Sequence, residues 1–501
     1  MDDTAEFLRR FPPFHTATQG ELEQLADMAE VVEYRSGATI LDVDMRDVDS
    51  VWVVRSGRVV ILHPDDATGT SVPIDTIDVG GVFGFSAMLS GASFGFVART
   101  TEPSVVVQLP GKLMRSVFSK PAGLAFLADA VSSATARLGG PTASTRRSVV
   151  VRRSIADAST TIELADASRR IPDLVVDLFR GGNDAIAVSA ILSVVVDAVV
   201  RRALELAWSS DPDVPRADIA WLSLGSVARR EAMPSSDVDS ALSWSDALPD
   251  PASDRTRDSV LMDMARKVHA TLAECGLPAD SNGAVASSPR FARSASQWRS
   301  AAEHWLDDPF GDRGPVGDSG LIMSSLLVDG RVVWGNRDLH TVPEAYRRLA
   351  EEHPDALRLQ LRDAIARRAR VRSLRDVLAR RGRTFDLKAH AITPIVNLAR
   401  WGGLSVGVAS ASTPARLAAA SGNGILTDRD VHALTEVFEL VQKLRLGHQV
   451  EQIASGARPG DVVVMADLSA LERSLLSDGV REVAAVQRRV AYLAGNVGVR
   501  S

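Results

Sequence analysis

Residues 223–239 read Ser-Leu-Gly-Ser-Val-Ala-Arg-Arg-Glu-Ala-Met-Pro-Ser-Ser-Asp-Val-Asp. The apolar run just before them, Ile219-Ala220-Trp221-Leu222, reads as a short buried strand that ends at Gly225-Ser226. Glycine lets a phosphate approach the backbone, and the Ser226 hydroxyl can bond a phosphate oxygen. A helical turn starting near Val227 would face its free N–H groups toward an anion. The chain then returns as a second strand, over 238–244, carrying Asp237 and Asp239. Residues i and i+2 of a strand share a face, so the two carboxylates project together and need a cation. Paired carboxylates with few other ligands suit Mg²⁺, or Mn²⁺ in its place, which keeps waters and takes substrate phosphates. Two such ions can activate an attacking group and hold a leaving pyrophosphate. An isolated Asp-x-Asp is ordinarily a pair of surface acids. What favours a site here is the strand-Gly-Ser before it and the intervening Arg229 and Glu231.

The bulk of the chain sets the frame for this motif. At 501 residues it is too long for one core, and two to four domains are expected. A formal net charge of −6 gives no support to nucleic acid as a partner. One cysteine, Cys275, excludes an internal disulfide framework and a Cys-rich zinc site. The nine histidines are scattered and form no metal spacing. The N-terminus is acidic and no signal-peptide core follows it. The longest apolar stretch, 185–200, is short for a membrane span and holds Asp197, so it reads as a buried helix. A soluble, cytoplasmic protein is expected, with no membrane partner.

The expected fold class is multidomain α+β: an N-terminal β-roll, a central α/β domain and a C-terminal α-helical bundle. Residues 1–135 hold short β-branched runs such as Val51-Trp52-Val53-Val54, punctuated by Gly and Asp turns. Residues 136–215 are a linker and helices, the linker being the Ser-, Thr- and Arg-rich stretch 136–160. Residues 216–345 alternate strands (219–224, 238–244, 321–328, 331–334) with a helix over 254–275. Residues 346–501 are almost wholly helical, with apolar spacing of three and four, as in Val437-Leu440-Val441-Leu444.

Gly225-Ser226, ten residues, then Asp237-Val238-Asp239 resembles the polymerase-β-type nucleotidyltransferase signature. More narrowly, Gly225-Ser226-x-x-Arg229-x-Glu231 with Ser236-Asp237-x-Asp239-x-Ala241 resembles the nucleotidyltransferases related to the PII-protein uridylyltransferase. The segment 283–289 with Trp298, Asp329-Gly330-Arg331 leading to Gly335, Asp386-Leu387-Lys388 with Pro394, and 438–449 with His448-Gln449 match further pieces of that family, over about residues 165–490. The resemblance implies transfer of a nucleoside monophosphate from an NTP to an acceptor hydroxyl. Asp237 and Asp239 would hold Mg²⁺, and Gly225, Ser226, Arg229 and Glu231 would bind the nucleotide. It also offers Asp329 as a third catalytic carboxylate, against the alternative of a β-turn acid before Gly330. The acceptor it implies is a regulatory protein such as PII, in signal transduction, and the assembly a homodimer. Ser240 stands where that family usually has an apolar residue. The competing reading is a catalytically weak nucleotide-binding regulatory or interaction protein.

Residues 7–120 resemble a cyclic-nucleotide-binding domain, through Gly37-Ala38-Thr39-Ile40-Leu41, 51–59 and Gly80-Gly81-Val82-Phe83-Gly84. Such a site needs a carboxylate for the ribose and an arginine for the cyclic phosphate. Here Phe85 stands where the family has Glu, and the Pro-Arg stretch reads Ser93-Phe94-Gly95-Phe96, with Arg99 nearby. A degenerate sensor or dimerisation module with an apolar surface of Phe85, Phe94 and Phe96 is expected. The stretch 358–383 holds ten arginines; a solvated helix face is favoured over an anion cradle.

Overall fold

The computed structural model describes residues 3–43, 45, 49–65, 70–90, 96–120, 122–123, 126–127, 143–209, 215–248, 256–280, 283–308, 320–369, 384–421 and 424–497. The chain forms two compact units: residues 1–127 with 336–338, and residues 128–335 with 339–501. The three segments separated in the sequence after residue 135 thus share one unit.

In the first unit, β1 (Glu30–Tyr34), β8 (Ser104–Pro110), β3 (Ser50–Ser56) and β6 (Val82–Phe83) form one antiparallel sheet in that order. The second sheet runs β2 (Thr39–Leu41), β7 (Val97–Thr100), β4 (Val59–Asp65), β5 (Thr70–Ile77). β3 shows why its sequence is apolar without alternation. Val51 and Val53 face a core with Leu22, Leu25 and Phe118 from flanking helices. Trp52 and Val54 face the core that holds Ile40, Ile61 and Ala98 of the second sheet. Alternate residues of one strand therefore serve two cores, and a β-roll flanked by helices results.

In the second unit, β9 (Ile219–Ser223) lies between β10 (Ser240–Trp244) and β12 (Arg331–Gly335), and β11 (Ala292–Ser294) adds to β10. Both neighbours of β9 are antiparallel, pairing Ser223 with Ser240 and with Arg331; β11 is parallel to β10. All five residues of β9 are buried. Ile219 and Trp221 pack into the core of the helix Ala185–Ser209, whereas Ala220 and Leu222 pack into the core of Trp298, Trp305 and Leu327. The motif thus leaves the centre of a sheet covered on both faces. Around it stand the helices Pro354–Ala366, Thr393–Ser405, Thr413–Ala420, Asp428–Ala454 and Ala470–Val497. They share a core that includes Ile395, Leu398, Phe438, Val441 and Val480.

Four local expectations are corrected. Residues 321–328 are not a strand: Gly320–Asp329 is a helix. A short continuous apolar run suits a buried strand or a buried helix alike, and Leu, Ile and Met with few β-branched residues favour the helix. The stretch taken as linker contains the helix Ala143–Asp157, with Val151 and Ile155 buried one turn apart; residues 128–142 lie outside the described residues. β10 begins at Ser240, and Val238 makes only an isolated parallel bridge to Ala279. Within the helical region, β13 (Thr384–Asp386) pairs with β14 (Val462–Val464) as an antiparallel ribbon.

Asp197 is 1% exposed in the middle of the apolar helix Ala185–Ser209. It accepts from Arg230 Nη1 at 2.6 Å and from Arg331 Nη2 at 3.0 Å. Arg331 also donates to the carbonyls of Val227 and Ala228. Burial alone would raise the Asp197 pKa; Arg331, Arg230 and Arg201 outweigh it and hold the carboxyl below its usual range. One buried acid thereby fastens the helix to β12 and to the loop after Gly225. Arg230 sits in that loop at φ 66°, a left-handed conformation rare for a side chain of this kind. No helix among the described residues is long and apolar enough to cross a membrane. Asp197→Asn leaves two partly buried guanidiniums short of a counter-charge, and we expect it to cost about 1–3 kcal/mol. Equilibrium denaturation with an unshifted midpoint would contradict this account.

Candidate functional site

The loop after β9 is built around a glycine with two constraints. Gly225 has φ 57°, and a side chain there would collide with Asp239 Oδ2. Its bareness is therefore already used by the second carboxylate of the motif, which the sequence reading assigned to an approaching phosphate. Gly225–Ala228 is a single helical turn, too short to build the dipole of a real helix. What Ser226 brings is its hydroxyl, which donates to Ser236 Oγ at 3.2 Å, while Ser236 Oγ accepts from Met233 N.

The carboxylates lie just ahead of the first residue of β10. Val238 is buried in the core and the flanking Asp237 and Asp239 are half-buried. The Asp239 pKa is pushed up to about 7, first by desolvation, then by the charge of Asp280 and, more weakly, of Asp237; Lys388 and Arg229 act against the rise. The pair is thus close enough to repel and lacks full compensation from the protein. Asp280 escaped the sequence reading. It follows Ala279, the bridge partner of Val238, and its Oδ2 accepts from Ala284 N at 2.9 Å. Its position three residues before Gly283, in a segment already singled out, was the available signal. Among the described residues no group of three or more His, Cys, Asp or Glu side chains is arranged to hold a metal. A pair alone meets the protein share of a Mg²⁺ site completed by waters and phosphates.

Asp329 is not part of this gathering. It ends the helix Gly320–Asp329 and its side chain is fully buried. Oδ2 accepts from Arg229 Nη1 at 2.6 Å and Arg400 Nη2 at 2.7 Å; Oδ1 meets Arg400 Nε at 2.9 Å and Arg416 Nη1 at 2.6 Å. Burial alone would raise its pKa, but Arg400, Arg416 and Arg229 drive it far below the carboxylate range. With both oxygens held by guanidiniums, Asp329 is neither the third metal-site carboxylate nor a surface turn acid. It is the anchor of an arginine cluster.

Arg229 and Glu231 belong to the same framework. Arg229 Nε donates to Glu231 Oε2 at 2.9 Å, and Glu231 Oε1 accepts from Thr413 N at 2.6 Å, at the start of the helix Thr413–Ala420. A second tie runs from Ser235, which exchanges hydrogen bonds with Gln449 and donates to Asp461; Arg445 grips Asp461 through Nε and Nη2. Between the motif and the helices lies a cleft of about 140 Å³ lined by Ser226, Arg229 and Glu231 from one side and Lys388, Arg400 and Gln442, among others, from the other. Arg229 and Arg400 reach it with their charge shared by Asp329. Lys388 has no ion-pair partner among the described residues, and its charge acts on Asp239.

Comparison with known families matches residues 169–312 to the model described as "Putative nucleotidyltransferase DUF294", and residues 354–493 to the "Putative nucleotidyltransferase substrate binding domain". The protein carries both domains of the DUF294 nucleotidyltransferase family. The motif, the Asp pair and the cleft-lining helices all fall within these two domains. Among curated proteins, none matches the chain.

The first unit matches the "Cyclic nucleotide-binding domain" over residues 31–120. Similar solved structures include a cyclic nucleotide-binding-like protein from Brucella abortus (20% identity, 24% of this chain and 100% of that one, TM-score 0.21). The sensor domain of the transcriptional regulator DNR from Pseudomonas aeruginosa also matches (18%, 28% and 93%, TM-score 0.24). In this unit Phe85 packs edge-on against Phe118 and Phe126, with ring centroids 6.2 and 5.3 Å away. The side chain that replaces the expected Glu is thus spent on aromatic packing. Phe96 packs instead against the core of Trp52 and Phe83, and Phe94 lies outside the described residues. Arg99 is on β7 opposite Thr39. Of the basic stretch, 370–383 also lies outside the described residues; Arg358 pairs with Asp355 on an exposed helix face.

Two outcomes follow from the glycine and the raised carboxyl. Gly225→Ala adds a left-handed penalty of about 1–2 kcal/mol to the collision with Asp239; a melting temperature equal to wild type would contradict the close approach. The Asp239 pKa of about 7 exceeds the ordinary 3.8, so the folded state keeps a proton that the unfolded chain releases. In metal-free buffer its contribution to stability is full below about pH 4 and is lost as pH rises through 7. Asp239→Asn removes that part of the slope, and stability–pH curves that superimpose for the two proteins would refute it.

Proposed function

We propose that the protein transfers a nucleoside monophosphate from an NTP to an acceptor hydroxyl, with Asp237 and Asp239 holding Mg²⁺ (or Mn²⁺). The observation that carries this reading is the mutually repelling Asp pair, with Asp239 against Gly225 and under the charge of Lys388 and Arg229, two cations of the cleft that Ser226 also lines. When bound, the ion would polarise the α-phosphate and balance charge on the leaving group. The acceptor oxygen bonds to the α-phosphorus, the bond from that phosphorus to the bridging oxygen breaks, pyrophosphate leaves, and the hydroxyl proton passes to solvent. Turned from Ser236, the Ser226 hydroxyl donates to a phosphate oxygen, and Lys388, Arg229 and Arg400 set a positive potential along the triphosphate. Arg229 and Arg400 need no reorganisation for this, because Asp329 already fixes them.

The likeness to the PII-protein uridylyltransferases supports a protein acceptor, a regulatory partner in signal transduction, and the first unit fits a dimerisation or sensor module. The competing reading, a nucleotide-binding regulator with weak turnover, uses the same cleft. Pyrophosphate release from each NTP, with candidate acceptors supplied, separates the two. Asp237→Asn and Asp239→Asn should each lower the rate by at least about a hundredfold, since several kcal/mol of charge stabilisation are removed. Mg²⁺-dependent NTP binding without release from wild type would favour the regulator, and absence of such binding would end both readings.

A further inference from the structure

The side chain of Gln442 is 1% exposed, yet it lines the cleft, and its Nε2 has no hydrogen-bond partner among the described residues. Arg445 lies one turn along the same helix and donates from Nη1 to Gln442 Oε1 at 3.4 Å. A guanidinium can only donate, so the amide oxygen must face Arg445 and the –NH₂ must face away from it. A buried donor left unmade costs about 1–3 kcal/mol, which a core position would be expected to avoid. Because Gln442 also lines the cleft, its amide donor is available to a group that enters there.

The lining of this cleft is not all charged. Arg445 is neutralised by its two bonds to Asp461. Ile392 and Val396 line the cleft at a spacing of one turn, where the Asp428–Ala454 helix packs on the Lys388–Ile392 turn. Asn397 adds a second neutral amide, its Oδ1 accepting from Arg400 Nη1 at 3.0 Å, so its –NH₂ faces away from that cation. Two aliphatic side chains and two amide donors add little for a phosphate beyond what Lys388, Arg229 and Arg400 already supply in the same cleft. They suit a flat heterocycle with an acceptor atom on its edge.

We propose that Gln442 reads the nucleobase of the NTP, donating from Nε2 to a carbonyl oxygen or ring nitrogen, so that the helical domain helps select which nucleotide is used. This rests on the proposed function, and the test keeps the two apart. Binding of the four NTPs and of inorganic tripolyphosphate, each with Mg²⁺, is measured by calorimetry for wild type, Gln442→Met and Gln442→Glu, with thermal melts to confirm folding. Wild type should prefer one base. Gln442→Met should lose about three- to tenfold in affinity for that NTP, the worth of one neutral hydrogen bond, with tripolyphosphate affinity unchanged. In Gln442→Glu the ratio of NTP to tripolyphosphate affinity should fall as well, whereas the added charge by itself would raise it, tripolyphosphate being the more highly charged of the two. Equal losses for NTP and tripolyphosphate would make the amide a phosphate donor and overturn the assignment, as would an unchanged ratio in both variants. If wild type binds tripolyphosphate and no NTP more tightly than it, the base pocket fails; if it binds neither, the proposed function itself fails.

Discussion

Three guanidiniums converge on one buried carboxylate, and much of the second unit is arranged by that convergence. Asp329 lies at the end of a helix, Arg229 in the loop after β9, and Arg400 and Arg416 in the helical domain. None of these charges could be buried alone: each would carry a desolvation cost of several kcal/mol without its partners. The cluster therefore forms as a set. Once formed, it fixes how the motif loop faces the helices, and so fixes the shape of the cleft between them. The Glu231–Thr413 and Ser235–Gln449 bonds extend the same arrangement on either side.

A second constraint acts within the sheet. β9 is buried on both faces, so the chain that leaves it at Leu224 has little freedom in where it goes. Gly225 turns in the left-handed region with Asp239 against it, and Asp197 holds the far end of the loop through Arg230 and Arg331. Close packing and paired charges supply the rigidity that a short loop lacks by itself. The price is a carboxyl group, Asp239, held among like charges in a poorly solvated place, which is the sort of strain a bound cation relieves.

Much of this was legible in the sequence, and the parts that were not have physical reasons. Strand β9, the Gly-Ser turn and the Asp pair follow from apolar runs and local spacing. The helices after residue 346 follow from periodicity. The segment 321–328 misled because a fully apolar run carries no period to distinguish helix from strand. Asp329 misled for a different reason: its partners lie 71 to 100 positions away in the chain, and no local pattern shows that three arginines will surround it. Asp280 had only the nearby Gly283 to mark it, because its relation to Asp239 comes from residues 278–286 running back along Val238 and Ser240. In the first unit, the loss of a carboxylate at position 85 was plain, but the aromatic partners of Phe85 could not be inferred without the fold.

The matched families meet the chain as two pieces, 169–312 and 354–493, with a gap between them. The ion pairs ignore those borders. Asp329 falls in the gap, one of its arginines comes from the first piece and two from the second. A fragment ending anywhere between 330 and 399 would carry the whole acid motif and still strand Asp329 and Arg229 with each other in a surface they were never meant to share with water. The two halves are thus poor candidates for shuffling by recombination: what moves between genes, if it is to keep its shape, is the pair.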